Sequence, residues 1–197
     1  GYDDVWSDEV GNVFGRIRGR GEGPTVMLCS HLDVVDVGDP EGWEHPPFEG
    51  VIADGHLHGR GAMDIKGPLA IQTYAAARFV HDRPAGDLVV GHTVFEERGG
   101  WGIRHFLEHG DLRPDIIVIG EATDGDLCIG HRGRAEVLVE LIGRAGHASA
   151  PERAINPLDG LGVVLAGLGD FAAQLPTDPI LGASTAAPTR VETLPRS

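Results

Sequence analysis

The feature that most constrains this chain is the run Thr25-Val26-Met27-Leu28-Cys29-Ser30-His31-Leu32-Asp33, an apolar segment ending on a histidine and an aspartate two positions apart. Because it is continuously apolar rather than alternating, it reads as a strand buried in a parallel sheet. Open α/β sheets place their ligands at the carboxyl ends of such strands, which is where the polar end of this run falls. On extended backbone residues i and i+2 point the same way, so His31 and Asp33 share a face. The Asp33 carboxylate is then placed to orient the imidazole and leave its other nitrogen for a metal. A capped loop after a core strand has the same residues, and the motif alone does not choose between the two.

The pattern recurs twice further along the chain. Residues 87–95 form a second strand, which runs into Glu96-Glu97-Arg98-Gly99-Gly100, and residues 114–120 form a further buried strand, which runs into Glu121. If the backbone stays extended, Glu96 and Glu97 face opposite sides, one toward a metal and one toward substrate; an exposed acidic turn is the alternative. Between the strands lie helical patterns over residues 69–81 and 102–109. Strands alternating with helices imply a doubly wound parallel sheet with helices on both faces. Three acidic strand ends are hard to obtain from solvated surface charge, so a metal-dependent hydrolase leads on chemistry alone. With 16 basic and 30 acidic residues the formal charge is −14, which argues against nucleic acid and anionic membranes as partners.

Other segments fill in the plan. Residues 12–17 alternate as a strand and, through the Gly-rich turn at 19–23, suggest a hairpin into the Val26 strand. The Pro-rich loop 38–48 carries Trp43 and Phe48, as loops over pockets often do. Asp54-Gly55 marks a second hairpin over residues 50–59. Gly59-Arg60-Gly61-Ala62-Met63-Asp64-Ile65-Lys66-Gly67-Pro68 places three glycines around one aspartate, which suits close backbone approach to a ligand. Asp64 as an ordinary helix N-cap is equally compatible. The Gly-Lys-Ser/Thr ending of a phosphate loop is missing, and no dinucleotide fingerprint is present. Cys29 and Cys128 form neither a zinc ribbon nor a disulfide framework. With no signal peptide and no apolar run of transmembrane length, the expectation is a cytoplasmic protein.

From Cys128 the character changes. Residues 135–143 alternate like a half-exposed strand, residues 146–151 (Gly-His-Ala-Ser-Ala-Pro) read as a turn, Asn156-Pro157-Leu158 opens a helix running to about Gln174, and residues 189–194 read as a strand. The expected organisation is a metal-binding catalytic domain over 1–134 and the start of an α+β lid or dimerisation domain over 135–197, both partial.

Taken together, the ordered set Ser30-His31-Leu32-Asp33, the 43–48 loop, Gly59 to Gly67 with Asp64, Glu96-Glu97, Glu121, and Gly146-His147-Ala148-Ser149 with Asn156-Pro157 resembles a known family. It is similar to the dinuclear zinc amidohydrolases and exopeptidases that include acetylornithine deacetylase, succinyl-diaminopimelate desuccinylase, aminoacylase and glutamate carboxypeptidase. The resemblance implies a zinc-exopeptidase-like α/β fold and two zinc ions, with cobalt or manganese as substitutes. His31 and Glu121 would ligate one zinc and Glu97 the other. Asp64 would bridge them, Asp33 would orient His31, and Glu96 would be the general base. His147 would reach the active site of the partner subunit of a homodimer and hold the substrate oxygen. The family's last ligand to the second zinc is a histidine from a later segment than this chain contains. The expected reaction is hydrolysis of an amide next to a free carboxylate, in an N-acyl amino acid or small peptide. The competing reading is a non-catalytic fragment or metal-binding module lacking that last ligand.

Overall fold

The structure is a computed structural model in which residues 1–193 are described. It divides into two compact units, Gly1–Leu127 and a second from Cys128 onward.

The first unit is built on a five-stranded sheet. Its strands are β1 (Asp4–Ser7), β2 (Val13–Ile17), β3 (Val26–His31), β6 (Leu88–Thr93) and β7 (Ile116–Ile119), in the order β1-β2-β6-β3-β7. The short strands β4 (Val51–Ala53) and β5 (His56–His58) pair separately as a hairpin. Its turn is Asp54-Gly55, with φ of +50° and +77°, as the Asp-Gly pair predicts. β3 runs parallel to both β6 and β7. The sheet is not parallel throughout: β2 runs antiparallel to β6, and β1 antiparallel to β2. The expected hairpin from residues 12–17 into the Val26 strand is therefore corrected. Both edges of β3 are already taken by β6 and β7. The turn at 19–23 instead crosses beside residues 84–86, with Arg20 and Glu22 amides donating to the Pro84 and Ala85 carbonyls.

Alternation along the strands splits the core into two layers. Met27, Cys29 and Val89 face one way and pack with Phe14 and Phe106 of α2 (Trp101–His109). Leu88 and Val90 face the other way and pack with Ile17 and Ala76 of α1 (Gly67–Ala77). Helices thus cover both faces, and the carboxyl ends of β3, β6 and β7 share one edge. β7 departs from expectation. All four of its residues are exposed, Ile119 by 65%, so it is not a buried strand. Among the described residues it is the last strand of the sheet, paired on one side only.

In the second unit the helix is present as α3 (Pro157–Ala173), with the Asn156 side chain accepting from the Leu158 amide as its N-cap. The strand expected over 135–143 is not formed. A pleated segment becomes a strand only by pairing, and among the described residues the nearest backbone pairing is a single bridge just after it, Arg144 with Ile155. Val137 and Leu138 are 82% and 94% exposed. Two-residue strands β8 (Thr177–Asp178) and β9 (Gly182–Ala183) form a small hairpin. Residues 189–193 are irregular, so the strand expected there is absent in its described part, and Leu194 lies outside the described residues. Among the described residues no helix is long and apolar enough to cross a membrane.

Candidate metal centre

The centre is assembled at the carboxyl edge of the sheet. His31 closes β3 and is 2% exposed in its side chain. Its Nδ1 lies 2.8 Å from the backbone carbonyl of Asp33, so Nδ1–H is the donor and the ring orientation is set by backbone. Nε2 faces Asp64 Oδ1 at 3.1 Å and Glu96 Oε2 at 3.8 Å. A nitrogen lone pair and a carboxylate oxygen repel at that distance unless a proton or a cation lies between them.

The Asp33 carboxylate does something the sequence did not suggest. It stands 3.6 Å from Nδ1, beyond hydrogen-bond range, and accepts instead from the amides of Glu96 and Glu97 at 3.1 and 3.2 Å. It thereby ties the segment after β6 to the end of β3. That segment is a turn rather than extended chain. β6 ends at Thr93, Phe95 has φ of +56°, and Gly99 and Gly100 close back on Phe95 and Glu96. The expectation that Glu96 and Glu97 face opposite sides fails for this reason, since both carboxylates reach toward His31.

Asp64 is not the N-cap of α1. That place is taken by Lys66, without a side-chain cap bond. Asp64 sits in extended backbone (φ −115°, ψ 91°) inside the bend at 62–66, with a cis bond to Ile65, and turns its carboxylate to His31. Gly61 enters this bend at φ +78°.

Two groups of ligand atoms result, each within 4.8 Å of one another: His31, Asp64 and Glu121, and His31, Glu96 and Glu97. The donors are one imidazole and several carboxylate oxygens, a set that suits zinc, manganese or cobalt. Crowding is visible in the ionisation of the site. Burial, then the negative charges of Asp64, Glu96 and Asp33, hold Glu97 above the usual carboxylate range. Burial, then Asp64, Glu96 and Glu97, do the same to Glu121. For His31 burial acts downward, but the Asp33 carbonyl and the Glu96, Asp64 and Asp33 carboxylates outweigh it, and its pKa is raised. All three shifts describe a site with excess negative charge, which a bound cation relieves.

Support for this edge comes from behind it. Asn12 is fully buried; its Nδ2 donates to Asp8 and to the Gly102 carbonyl, and its Oδ1 accepts from the Val94 amide. It fastens both ends of the turn that carries Glu96 and Glu97. Its local partner Asp8 marks only a turn; the two bonds that fasten the loop reach 82 and 90 residues away, which nothing local in the sequence signals. Nearby, Arg60 lies over the Trp43 ring at 4.9 Å, and Trp43 Nε1 donates to the Val37 carbonyl, which orders the loop after β3.

His147 belongs to the second unit. Its Nδ1 accepts from the Ser149 amide at 3.2 Å and pairs with the Ser149 hydroxyl at 2.8 Å. The ring is exposed, and this pairing leaves the proton on Nε2, facing outward as a donor.

The sequence profile of peptidase family M20/M25/M40 matches residues 27–187. The protein YgeY of Escherichia coli K12 is 34% identical over 190 residues, 94% of this chain and 46% of that one. Succinyl-diaminopimelate desuccinylase 2 of Ruegeria sp. is 37% identical over 181 residues, 87% of this chain and 46% of the relative. The chain thus spans just under half the length of these curated relatives. Among solved structures, the M20 family metallo-carboxypeptidase Sso-CP2 from Sulfolobus solfataricus superposes with a TM-score of 0.60 at 19% identity, covering 85% of this chain and 40% of that one. At that identity the likeness concerns the fold.

Proposed function

The chain belongs to peptidase family M20/M25/M40, and on that premise we propose that it carries the greater part of the active site of a dinuclear zinc amidohydrolase. The substrate class is an amide beside a free carboxylate, an N-acyl amino acid or a small peptide. A relative named as a desuccinylase supports the acyl-amino-acid side of that range. One observation carries the proposal: His31 shares ligand-atom groups with the carboxylates of Asp64 and Glu121 and of Glu96 and Glu97, which come from three separate segments of the chain.

His31 and Glu121 would hold one cation, Glu97 the other, and Asp64 both. When bound, two such ions lower the pKa of a water and polarise the scissile carbonyl. The remaining chemistry belongs to side chains of this chain. Glu96 takes the proton from the attacking water and delivers it to the leaving nitrogen. Asp33 keeps Glu96 and Glu97 in place through their amides. Asp64, Glu97 and Glu121 would supply three negative charges that offset much of the four positive charges of two zinc ions. His147, with its proton on Nε2, is suited to donate to the substrate oxygen as negative charge develops there. The second unit would act as lid and homodimer surface, bringing His147 to a partner's centre.

The test is zinc per chain by elemental analysis, on the 197-residue chain and on Asp64→Ala, together with hydrolysis of N-succinyl and N-acetyl amino acids and of dipeptides. About two zincs, both lost in the variant, support the shared-ligand reading. One zinc in each protein removes Asp64 as the bridge, and a folded chain that binds no zinc overturns the proposal.

A further inference from the structure

The ladder between β3 and β7 stops short of the metal centre. Its last paired residues are Cys29 and Ile119, followed by one backbone bond from the Gly120 amide to the Cys29 carbonyl at 2.8 Å. Beyond it the strands would be free to splay. Yet the next positions carry His31 and Glu121, whose ligand atoms come together in one group.

A single side chain fills the wedge where pairing ends. Gln72 projects from the buried face of α1, one turn before Ala76, and is 9% exposed. The Ser30 hydroxyl, 3% exposed, donates to Gln72 Oε1 at 2.7 Å. On its other side Gln72 Nε2 points to the Val118 carbonyl at 3.5 Å, a long contact. That carbonyl settles which way the amide faces, since the reverse orientation would set two oxygens against each other. The fit is close. A Cβ on Gly120 would lie 2.6 Å from both Gln72 Nε2 and Ser30 Oγ, so the residue before Glu121 has no room for a side chain. α1 itself comes directly after the bend that holds Asp64. Three segments therefore meet on one amide: the β3 residue before His31, the β7 residues before Glu121, and the helix behind Asp64.

We infer that Gln72 is a positioning residue of the metal centre, a polar clamp that sets the separation of His31 and Glu121 where the strand ladder no longer does. This rests on the proposed zinc site. It goes further in assigning the geometry of one cation's ligands to a buried helix side chain that touches neither ligand. An apolar residue of equal volume would fill the wedge but would not fix the two strands. Partners that orient metal ligands typically contribute 10–100-fold in affinity. Acting through Ser30 and Val118 rather than on the ligands themselves, Gln72 belongs at the lower end, about tenfold.

The experiment compares Gln72→Met, Ser30→Ala and the double variant with wild type, reading zinc affinity by competition with a chromogenic chelator and thermal unfolding with metal removed. Phe106→Leu, a core change on the opposite face of the sheet, controls for general destabilisation. The expected result is about a tenfold loss of zinc affinity in each single variant, a double variant no worse than either, and no loss in Phe106→Leu. Should Gln72→Met fail to fold, Ser30→Ala removes one hydroxyl and reads the same clamp. Wild-type zinc affinity in the folded single variants overturns the inference and leaves the zinc reading standing. An equal loss in Phe106→Leu also overturns it, as does additivity in the double variant. No zinc affinity in wild type removes the reading of the site and the inference with it.

Discussion

Replacing Asn12 by alanine should be among the most damaging single changes in the first unit, although Asn12 touches no proposed ligand. Three side-chain hydrogen bonds vanish: Nδ2 to Asp8 at 2.7 Å, Nδ2 to the Gly102 carbonyl at 2.9 Å, and the Val94 amide to Oδ1 at 2.9 Å. Asp8 is only part-buried and can turn to water, so its loss costs little. The Val94 N–H and the Gly102 C=O are left without their partner beside a fully buried position. Each such orphan costs about 1–3 kcal/mol, which gives roughly 4 kcal/mol for the pair. Against a stability of about 5–15 kcal/mol this is a large share. At about 4 °C per kcal/mol the melting temperature falls by roughly 15 °C. A water entering the vacated space would restore some of this. Asn12→Asp should be no better, because an oxygen replaces the group that donates to Gly102. The assay is urea unfolding in the presence of a chelator, with thermal melting alongside. A loss below about 1 kcal/mol in Asn12→Ala would refute the reasoning, since it would mean the orphaned groups find other partners at no cost.

Other predictions are simpler to state. Glu96→Gln should lower turnover by at least a hundredfold while zinc content stays near that of wild type; loss of metal along with activity would give Glu96 a ligand's role instead. A thiol reagent at pH 8 should modify exposed Cys128 quickly and spare Cys29 until the chain unfolds, because burial and then the Glu121 charge push the Cys29 thiol up to about 11; two fast thiols in the folded protein would contradict this. His92 offers a pH test. Its ring pairs with Thr73 Oγ1 at 2.9 Å, Nδ1 is buried without a partner, and burial lowers its pKa. A base whose pKa is lowered on folding contributes stability above its unfolded value of about 6.5 and loses it as the pH falls through the folded value. Wild type should therefore lose more melting temperature than His92→Gln between pH 7.5 and 5.5. The opposing contribution of His31 is common to both proteins, so an unchanged gap between them would rule the assignment out.

How much of the fold and the centre was legible in the sequence depends on the range of the forces involved. β3 and its terminal His31 could be read because strand burial and the ligand position are written in nine consecutive residues. Asp64, Glu96, Glu97 and Glu121 could be proposed because each comes after an apolar or Gly-rich signal. Their backbone could not, because the φ of Phe95 and the bend around Asp64 answer to tertiary packing rather than to local preference. The same limit hid Asp33 as an acceptor of two loop amides, and Asn12 and Gln72 as buried fasteners, since the bonds by which they tie separate segments together span 42 to 90 residues. Hydrophobic pattern misled in two places. Ile116–Ile119 looked like an interior strand but lies at the margin of the sheet. The alternation over 135–143 had no neighbour to pair with among the described residues.

The side of β7 that carries no strand among the described residues would tie two properties of the molecule to one another. The strand that leads into Glu121 is, among the described residues, one of the sheet's two edge strands, at which a further strand of the same polypeptide or of another could pair. A strand docking there would stiffen the backbone just ahead of that carboxylate. By thermodynamic reciprocity, a cation that fixes Glu121 would in turn favour the docked strand. Assembly at the sheet margin and occupancy of the proposed metal centre would then be coupled equilibria, with the tripeptide Ile119-Gly120-Glu121 as the hinge between them.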